Sequence, residues 1–283
     1  GFGDDTLTGG DGDDTLEGGT GDDLIAGESG IDSIDGGSGI DTVTYAGAAS
    51  GVTSDLSTGL TSIDGDGGSD SLVNVENLTG SSFADNLTGN AASNTLLGGS
   101  GNDVIRGGNG SDIFDGGAGT DQLRFDELTA GITLNLGANS ATSAADGAVD
   151  TFTGFESFYT TNFADLIQGS TGDDVVFALD GTDTFEGSDG NDTFDGGDQV
   201  DTVDYSGLAG INFITITLAG ASDATVIVDG GDDDVIRNIE NVIGTAGDDT
   251  IQGDLNANLL EGRGGDDDFV ASRGNDIIDG GTG

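Results

Sequence analysis

The stretch GGDGDDTLEGGTGDDLIAG, residues 9–27, decides how this chain folds. Asp14 and Asp23 stand nine residues apart, and each is followed two positions later by an apolar residue, Leu16 and Ile25. Steps of nine from Asp5 reach Asp14, Asp23, Asp32 and Asp41. A second run holds Glu76, Asp85, Asn94, Asp103, Asp112 and Asp121. A third holds Glu156, Asp165, Asp174, Asp183, Asp192 and Asp201, and a fourth Glu240, Asp249, Asn258, Asp267 and Asp276. All 22 of these acids or amides have an apolar residue at the second following position, so the period is a packing rule and not chance. A period of nine excludes a continuous helix, and glycine at this density would break one. Short segments such as DTL and DVI, bounded by glycine turns, read as strands of about three residues. Two nine-residue units then make one 18-residue coil that buries its apolar residues only by stacking on its neighbours, the mark of a solenoid.

The runs repeat in turn. Asp41, Asp121 and Asp201 lie 80 apart, as do Glu76 and Glu156, while Glu156 and Glu240 lie 84 apart. The organisation expected is one continuous solenoid of modules of about 80 residues, with runs at 1–43, 76–123, 156–203 and 240–283 and interludes at 44–75, 124–155 and 204–239. The interludes align with one another as YAGAASGVTSDLSTGLTS, FDELTAGITLNLGANSAT and YSGLAGINFITITLAG, and are expected to be enlarged coils or hairpins. Tyr45, Phe125 and Tyr205, four residues past the last aspartate of each run, are expected to plug the core there.

Composition says what the aspartates need. Among 283 residues there are 54 acids and five basic residues, all arginine, for a formal charge of −49. So acidic and glycine-rich a chain reads as disordered unless a cation completes it. Nucleic acid is excluded as a partner, because no basic footprint exists. No apolar run is long enough to span a bilayer. Histidine, cysteine and lysine are absent, which removes the usual bases and nucleophiles, so no enzyme is expected. Zinc would want histidine or cysteine. The turns offer carboxylates and carbonyls alone, and calcium takes six to eight such hard oxygens at about 2.3–2.6 Å. With coils of 18 residues, aspartates 18 apart share an edge about 4.8 Å from each other. Aspartate pairs of that kind number nine, from Asp5 and Asp23 to Asp249 and Asp267. Nine divalent ions bring 18 positive charges and reduce −49 to −31. The extra acids one position earlier, among them Asp4, Asp13, Asp22, Asp173 and Asp248, are expected to face solvent.

GGDGDDTLE (9–17), GGSGIDTVT (36–44) and GGSGNDVIR (98–106) resemble the G-G-x-G-x-D-x-U-x nonapeptide of RTX, or haemolysin-type calcium-binding, proteins. DTVTYAGAASGVTSDL (41–56) and NVENLTGSSFADNLTGNAASNTLLGGSGND (74–103) are similar to spacers between such arrays in large secreted bacterial proteins. The resemblance implies an all-β, right-handed parallel β-roll with calcium between turns, secretion in an unfolded, calcium-poor state through a one-step (type I) export system, and folding outside the cell. It places the metal-binding aspartates at Asp5, Asp14, Asp23, Asp32, Asp41, Asp85, Asp103, Asp112, Asp121, Asp165, Asp174, Asp183, Asp192, Asp201, Asp249, Asp267 and Asp276, for about nine or more ions. Asn94 and Asn258 bring no charge, and Phe83, Phe163, Gln199, Asn256 and Ala178–Leu179 replace turn glycines, so weak or absent sites are expected beside them. Glu76, Glu156 and Glu240 read equally well as ligands of a wider coil or as polar caps.

The chain starts without methionine and ends in mid-pattern on IIDGGTG, which reads as a segment of something longer. The function expected is a calcium-stiffened structural segment of a secreted filament, surface layer or adhesin stalk, self-associating end to end or continuing into the rest of a longer chain. The alternatives are the calcium-folding tail of an RTX enzyme or toxin, and a polysaccharide-binding module.

Overall fold

The computed structural model describes every residue of the chain except Ala209 and Ala271. Among the described residues every regular element is a β-strand. Two compact units result, one of Gly1–Glu127 with Ala148–Ser157, the other of Leu128–Gly147 with Phe158–Gly283.

Each unit is a β-roll of two main sheets, with consecutive nonapeptides alternating between them, and the second unit adds a two-stranded pairing of Asp180–Gly181 with Asp198–Gln199. In the first unit, Thr6–Asp11 pairs in parallel with Leu24–Ser29, and Leu24–Ser29 with Thr42–Thr44. In the facing sheet Thr15–Thr20 pairs in parallel with Ser33–Ser38. The register is 18 residues throughout the runs: Leu7 faces Ile25, Leu96 faces Phe114, and Ile105 faces Leu123. The second unit repeats this, with Ile167 opposite Phe185 and Val176 opposite Phe194. Three-residue strands such as Thr42–Thr44, Gln122–Arg124 and Thr202–Asp204 bury only their middle residue, the apolar one of the sequence period. Ile25, Val43, Leu78, Leu96, Ile105, Phe185 and Val203 are fully buried. One such side chain per nine residues contributes about 1.5–3 kcal/mol, which leaves the glycine-rich turns to be held by something else.

The interludes are hairpins, one of the two forms expected, and they lie in the plane of a sheet. In the first unit Leu60–Ile63 pairs antiparallel with both Thr53–Asp55 and Asp70–Val73. The outer two pair in parallel with Asn86–Thr88 and Ser33–Ser38, so the meander fills the sheet between two coils. In the second unit Ile214–Thr217, Ala224–Val228 and Asp234–Arg237 do the same between Thr250–Gln252 and Thr193–Asp195. Alternating residues explain this: Ala224–Val228 buries every second side chain, a strand buried on one face. Asx turns close the hairpins, with the Asp55 carboxylate accepting from the Ser57 N–H at 2.7 Å and the Asn135 side chain from the Ala138 N–H at 2.8 Å. Within the second unit, the hairpin Ile132–Asn135 with Ser140–Ser143 belongs to one sheet and the 214–237 meander to the other. Six rungs plus one hairpin make an odd number of half-coils, so successive hairpins change sheets.

Tyr45, Phe125 and Tyr205 fill the core beside the hairpins, each almost wholly buried. The Tyr205 hydroxyl donates to Asp234 at 2.7 Å, and that of Tyr45 lies 2.6 Å from the Thr61 hydroxyl and 3.3 Å from Asp70.

Candidate metal centres

The period-nine aspartates stack in rows along the roll edges, and each row is stitched by the same bond. In all nine aspartate pairs spaced 18 apart, the earlier residue donates its main-chain N–H to Oδ1 of the later one, at 2.7–3.0 Å. Asn94 and Asn258 join the rows by donating their N–H to Asp112 and Asp276.

The rows continue past the hairpins through residues of two kinds. Asp32, Asp112 and Asp192 donate to Asp70, Asp150 and Asp234, at 3.0, 2.9 and 3.0 Å. Asp41, Asp121 and Asp201 donate to a carboxylate oxygen of Glu76, Glu156 and Glu240, at 2.9, 2.6 and 3.0 Å. The glutamates are therefore members of the rows. Asp70, Asp150 and Asp234 are row members that stepping by nine does not reach. Their signal is the module period, since they lie 80 and 84 apart and carry Leu72, Phe152 and Ile236 two positions later.

Where a coil precedes it in the row, Oδ1 is thus satisfied, and Oδ2 carries the chemistry. In Asp14, Asp23, Asp32, Asp41, Asp103, Asp112, Asp121, Asp183, Asp201 and Asp267 this oxygen is buried and has no hydrogen-bond partner. A buried carboxylate oxygen left without a donor is costly, and rows of them repel each other. Main-chain oxygens stand beside them. A Cβ added to Gly9 would meet both Asp14 Oδ2 and the Gly27 carbonyl oxygen at 2.7 Å, and one added to Gly98 would meet Asp103 Oδ2 and, at 2.6 Å, the Gly116 carbonyl oxygen. Only glycine leaves this cradle of oxygens open. Burial, reinforced by neighbouring carboxylates, pushes Asp103 up to about 6 and Asp112, Asp183 and Asp201 up to about 7. Acceptors face acceptors, all of them oxygen, as a hard divalent cation requires.

That arrangement coincides with a family match. The RTX calcium-binding nonapeptide repeat matches residues 1–34, 8–43, 88–123, 150–185, 159–194, 177–214, 239–269 and 261–283, together well over half of the chain. The chain belongs to the RTX calcium-binding repeat family. Comparison with curated proteins finds no match.

The residues present fit the calcium that RTX repeats bind. Among the described residues no three side chains of Asp, Glu, His or Cys gather into one metal-holding group, so an ion here takes carboxylates of stacked turns and completes its shell with carbonyls. Bound there, calcium supplies the positive charge that the orphaned oxygens lack.

The remaining seven sixth-place aspartates have their second oxygen otherwise engaged. Asp85, Asp165, Asp174 and Asp249 accept both the N–H and the hydroxyl of Ser81, Thr161, Ser170 and Thr245, four residues earlier. Asp192 accepts the Ser188 hydroxyl at 2.8 Å and Asp276 that of Ser272 at 3.5 Å, while Asp5 lies 3.6 Å from the Gly1 amine. Departures from the nonapeptide divide accordingly. The Phe83 and Phe163 turns are of this engaged kind. Leu179 and Gln199 instead take the left-handed backbone of a glycine, with φ of 74° and 90°, and Asp183 and Asp201 keep the orphaned oxygen.

The acids one position earlier are exposed, and they also bond. Asp4, Asp13, Asp22, Asp173 and Asp248 each accept a main-chain N–H from 18 residues later, at 2.8–3.0 Å. This outer ladder runs opposite to the inner one and ties the turn crests together.

Proposed function

We propose that this RTX segment is a calcium-stiffened structural element of a large secreted bacterial protein, a filament, surface layer or adhesin stalk that orders when it meets extracellular calcium. The observation that carries this reading is the row of buried, donor-less Oδ2 atoms lining the turns of a roll with one apolar residue per nine. Calcium is held by the sixth-place aspartates whose Oδ2 has no donor, together with main-chain carbonyls of adjacent coils, and export takes the type I route before calcium is met. Self-association end to end, or continuation into the rest of a longer chain, covers the open strand edge that any parallel roll presents at its ends. Polysaccharide binding has less support. Arg106 and Arg124 both converge on Asp126, at 3.0 and 2.7 Å, and Arg237 on Asp195 and Asp223, so three of the five arginines already hold carboxylates of this chain.

Circular dichroism through a calcium titration after chelation, followed by electron microscopy, tests the reading. A coil spectrum converting to β, with fibres at millimolar calcium, supports it. A spectrum unchanged by calcium overturns the calcium role, and capped, monodisperse monomers overturn the filament.

A further inference from the structure

Two kinds of turn recur along the rows, and the difference lies four residues before the acid; Asp192 and Asp276, which take only the hydroxyls of Ser188 and Ser272, belong to neither kind. Before each of the ten orphaned aspartates that residue lies at positive φ: glycine in seven turns, and Glu28, Leu179 and Arg263 in the others. Its N–H then makes no bond to the carboxylate, which faces acceptors only. In the second kind the residue is Ser, Thr, Asn or Asp, φ is not positive, and the N–H is given to the row residue. Ser81, Thr161, Ser170 and Thr245 donate to Asp85, Asp165, Asp174 and Asp249 at 2.5–2.8 Å. Asn90 and Asp254 donate to the side-chain oxygens of Asn94 and Asn258 at 2.8 and 3.0 Å. The two asparagines go further. Their amide NH2 groups donate to the Glu76 and Glu240 carbonyls of the preceding coil at 2.7 and 2.9 Å, so a neutral donor meets an oxygen where the aspartate turns offer only acceptors.

Placement is regular. The second kind occupies the first two turns after each row glutamate: Asp85 and Asn94 after Glu76, Asp165 and Asp174 after Glu156, Asp249 and Asn258 after Glu240. These turns open the strands on which the hairpins lie, because Asn86–Thr88, Leu166–Gln168 and Thr250–Gln252 pair with Thr53–Asp55, Ile132–Asn135 and Ile214–Thr217. The hairpin ends are pinned there too, with the Val52, Ile132 and Ile214 N–H groups donating to Asp85, Asp165 and Asp249 at 2.7, 2.6 and 2.8 Å.

We propose that the coil following each hairpin is a metal-free latch: protein donors close its two turns, so hairpin and coil fold together without calcium and template the glycine-turn coils, which calcium then closes. The proposal rests on the calcium reading for the glycine turns and assigns a different task to the others. A latch beside every hairpin gives each module its own starting point, as in repeat proteins that nucleate at one unit and propagate to neighbours.

Hydrogen exchange read by mass spectrometry, on the whole chain with excess chelator and again with calcium, tests this. In chelator, peptides from 81–95, 161–175 and 245–259 are expected to exchange at least tenfold more slowly than peptides from 10–41 and 99–121, and calcium should slow the second set. Equally fast exchange of both sets in chelator, with calcium slowing both, overturns the latch and leaves the calcium reading standing; no response to calcium anywhere overturns the calcium reading itself. Calcium counting by equilibrium dialysis gives an independent readout. Asp103→Asn is expected to lower the number of bound ions while Asp85→Asn leaves it unchanged, and an equal loss in both overturns the latch.

Discussion

The turns GSSFAD (80–85) and GGSGND (98–103) occupy successive coils of one roll edge, and the Asp85 N–H donates to Asp103. Both present an aspartate to the row, yet Asp85 is satisfied by Ser81 while Asp103 keeps an orphaned oxygen. Gly99 lies at φ 102°, and Ser81, its counterpart 18 residues earlier, is not at positive φ. A single backbone angle thus separates a turn that closes by itself from one that needs a cation. The electrostatic demand of the row is set turn by turn and is not uniform along it.

The broadest break of that comparison is calcium removal. Each site saturated at one hundred times its dissociation constant adds about 2.7 kcal/mol to stability, and the gains of several sites accumulate. Chelation is therefore expected to abolish cooperative unfolding of the glycine-turn coils in a thermal melt, and a melt unmoved by chelator would erase the distinction. A core truncation comes next and should not discriminate: Ile105→Ala, at a fully buried position, is expected to lower stability by about 2–5 kcal/mol in denaturant titrations, with or without calcium.

Acidity sharpens the contrast. Carboxyls raised to about 6 in Asp103 and about 7 in Asp112 and Asp201 hold their proton in the folded coil where an unfolded chain has lost it. Metal-free coils are then most stable at acid pH, and that stability drains away as pH rises from near 4 through about 7. Calcium competes with the same protons, so its midpoint by circular dichroism should move to higher concentration between pH 8 and pH 6. A midpoint independent of pH would contradict the burial of these groups.

Smaller effects separate the two turn types. Ser81→Ala removes the hydroxyl from Asp85 and is expected to cost about 1 kcal/mol in chelator without changing the ion count. Gly99→Ser places a side chain at φ 102° against the Ser81 carbonyl, and should cost at least about 1–2 kcal/mol and lose an ion as well. Calorimetric calcium titration of the pair reads both. Smallest of all, Asp13→Ala on the exposed outer ladder, which removes one acceptor for the Ile31 N–H, should shift stability by about 0.5 kcal/mol or less.

Much of this was legible in the chain. A spacing of nine with an apolar residue always two places on leads to the 18-residue register of Leu96 with Phe114, and to all nine aspartate pairs. The buried ring at Tyr45, Phe125 and Tyr205 was legible from its place after each run. That the interlude hairpins enter a sheet was not. ITLNL and ATVIV alternate as any half-buried strand does, and nothing local says whether such a pair projects from a sheet or enters it. Asp70, Asp150 and Asp234 were missed for the same reason, since they rejoin the rows only because the meander returns the chain to the edge it left.

Sequence by itself determined the coil and the stacking of acids, because both follow from a short period that every turn obeys. Which acids lack a donor was decided by the tertiary structure. That depends on the sign of φ four residues upstream, and Leu179 and Arg263 take the glycine conformation although their side chains disfavour it. Neighbouring coils impose that angle through stacking, and stacking is a property of the folded roll.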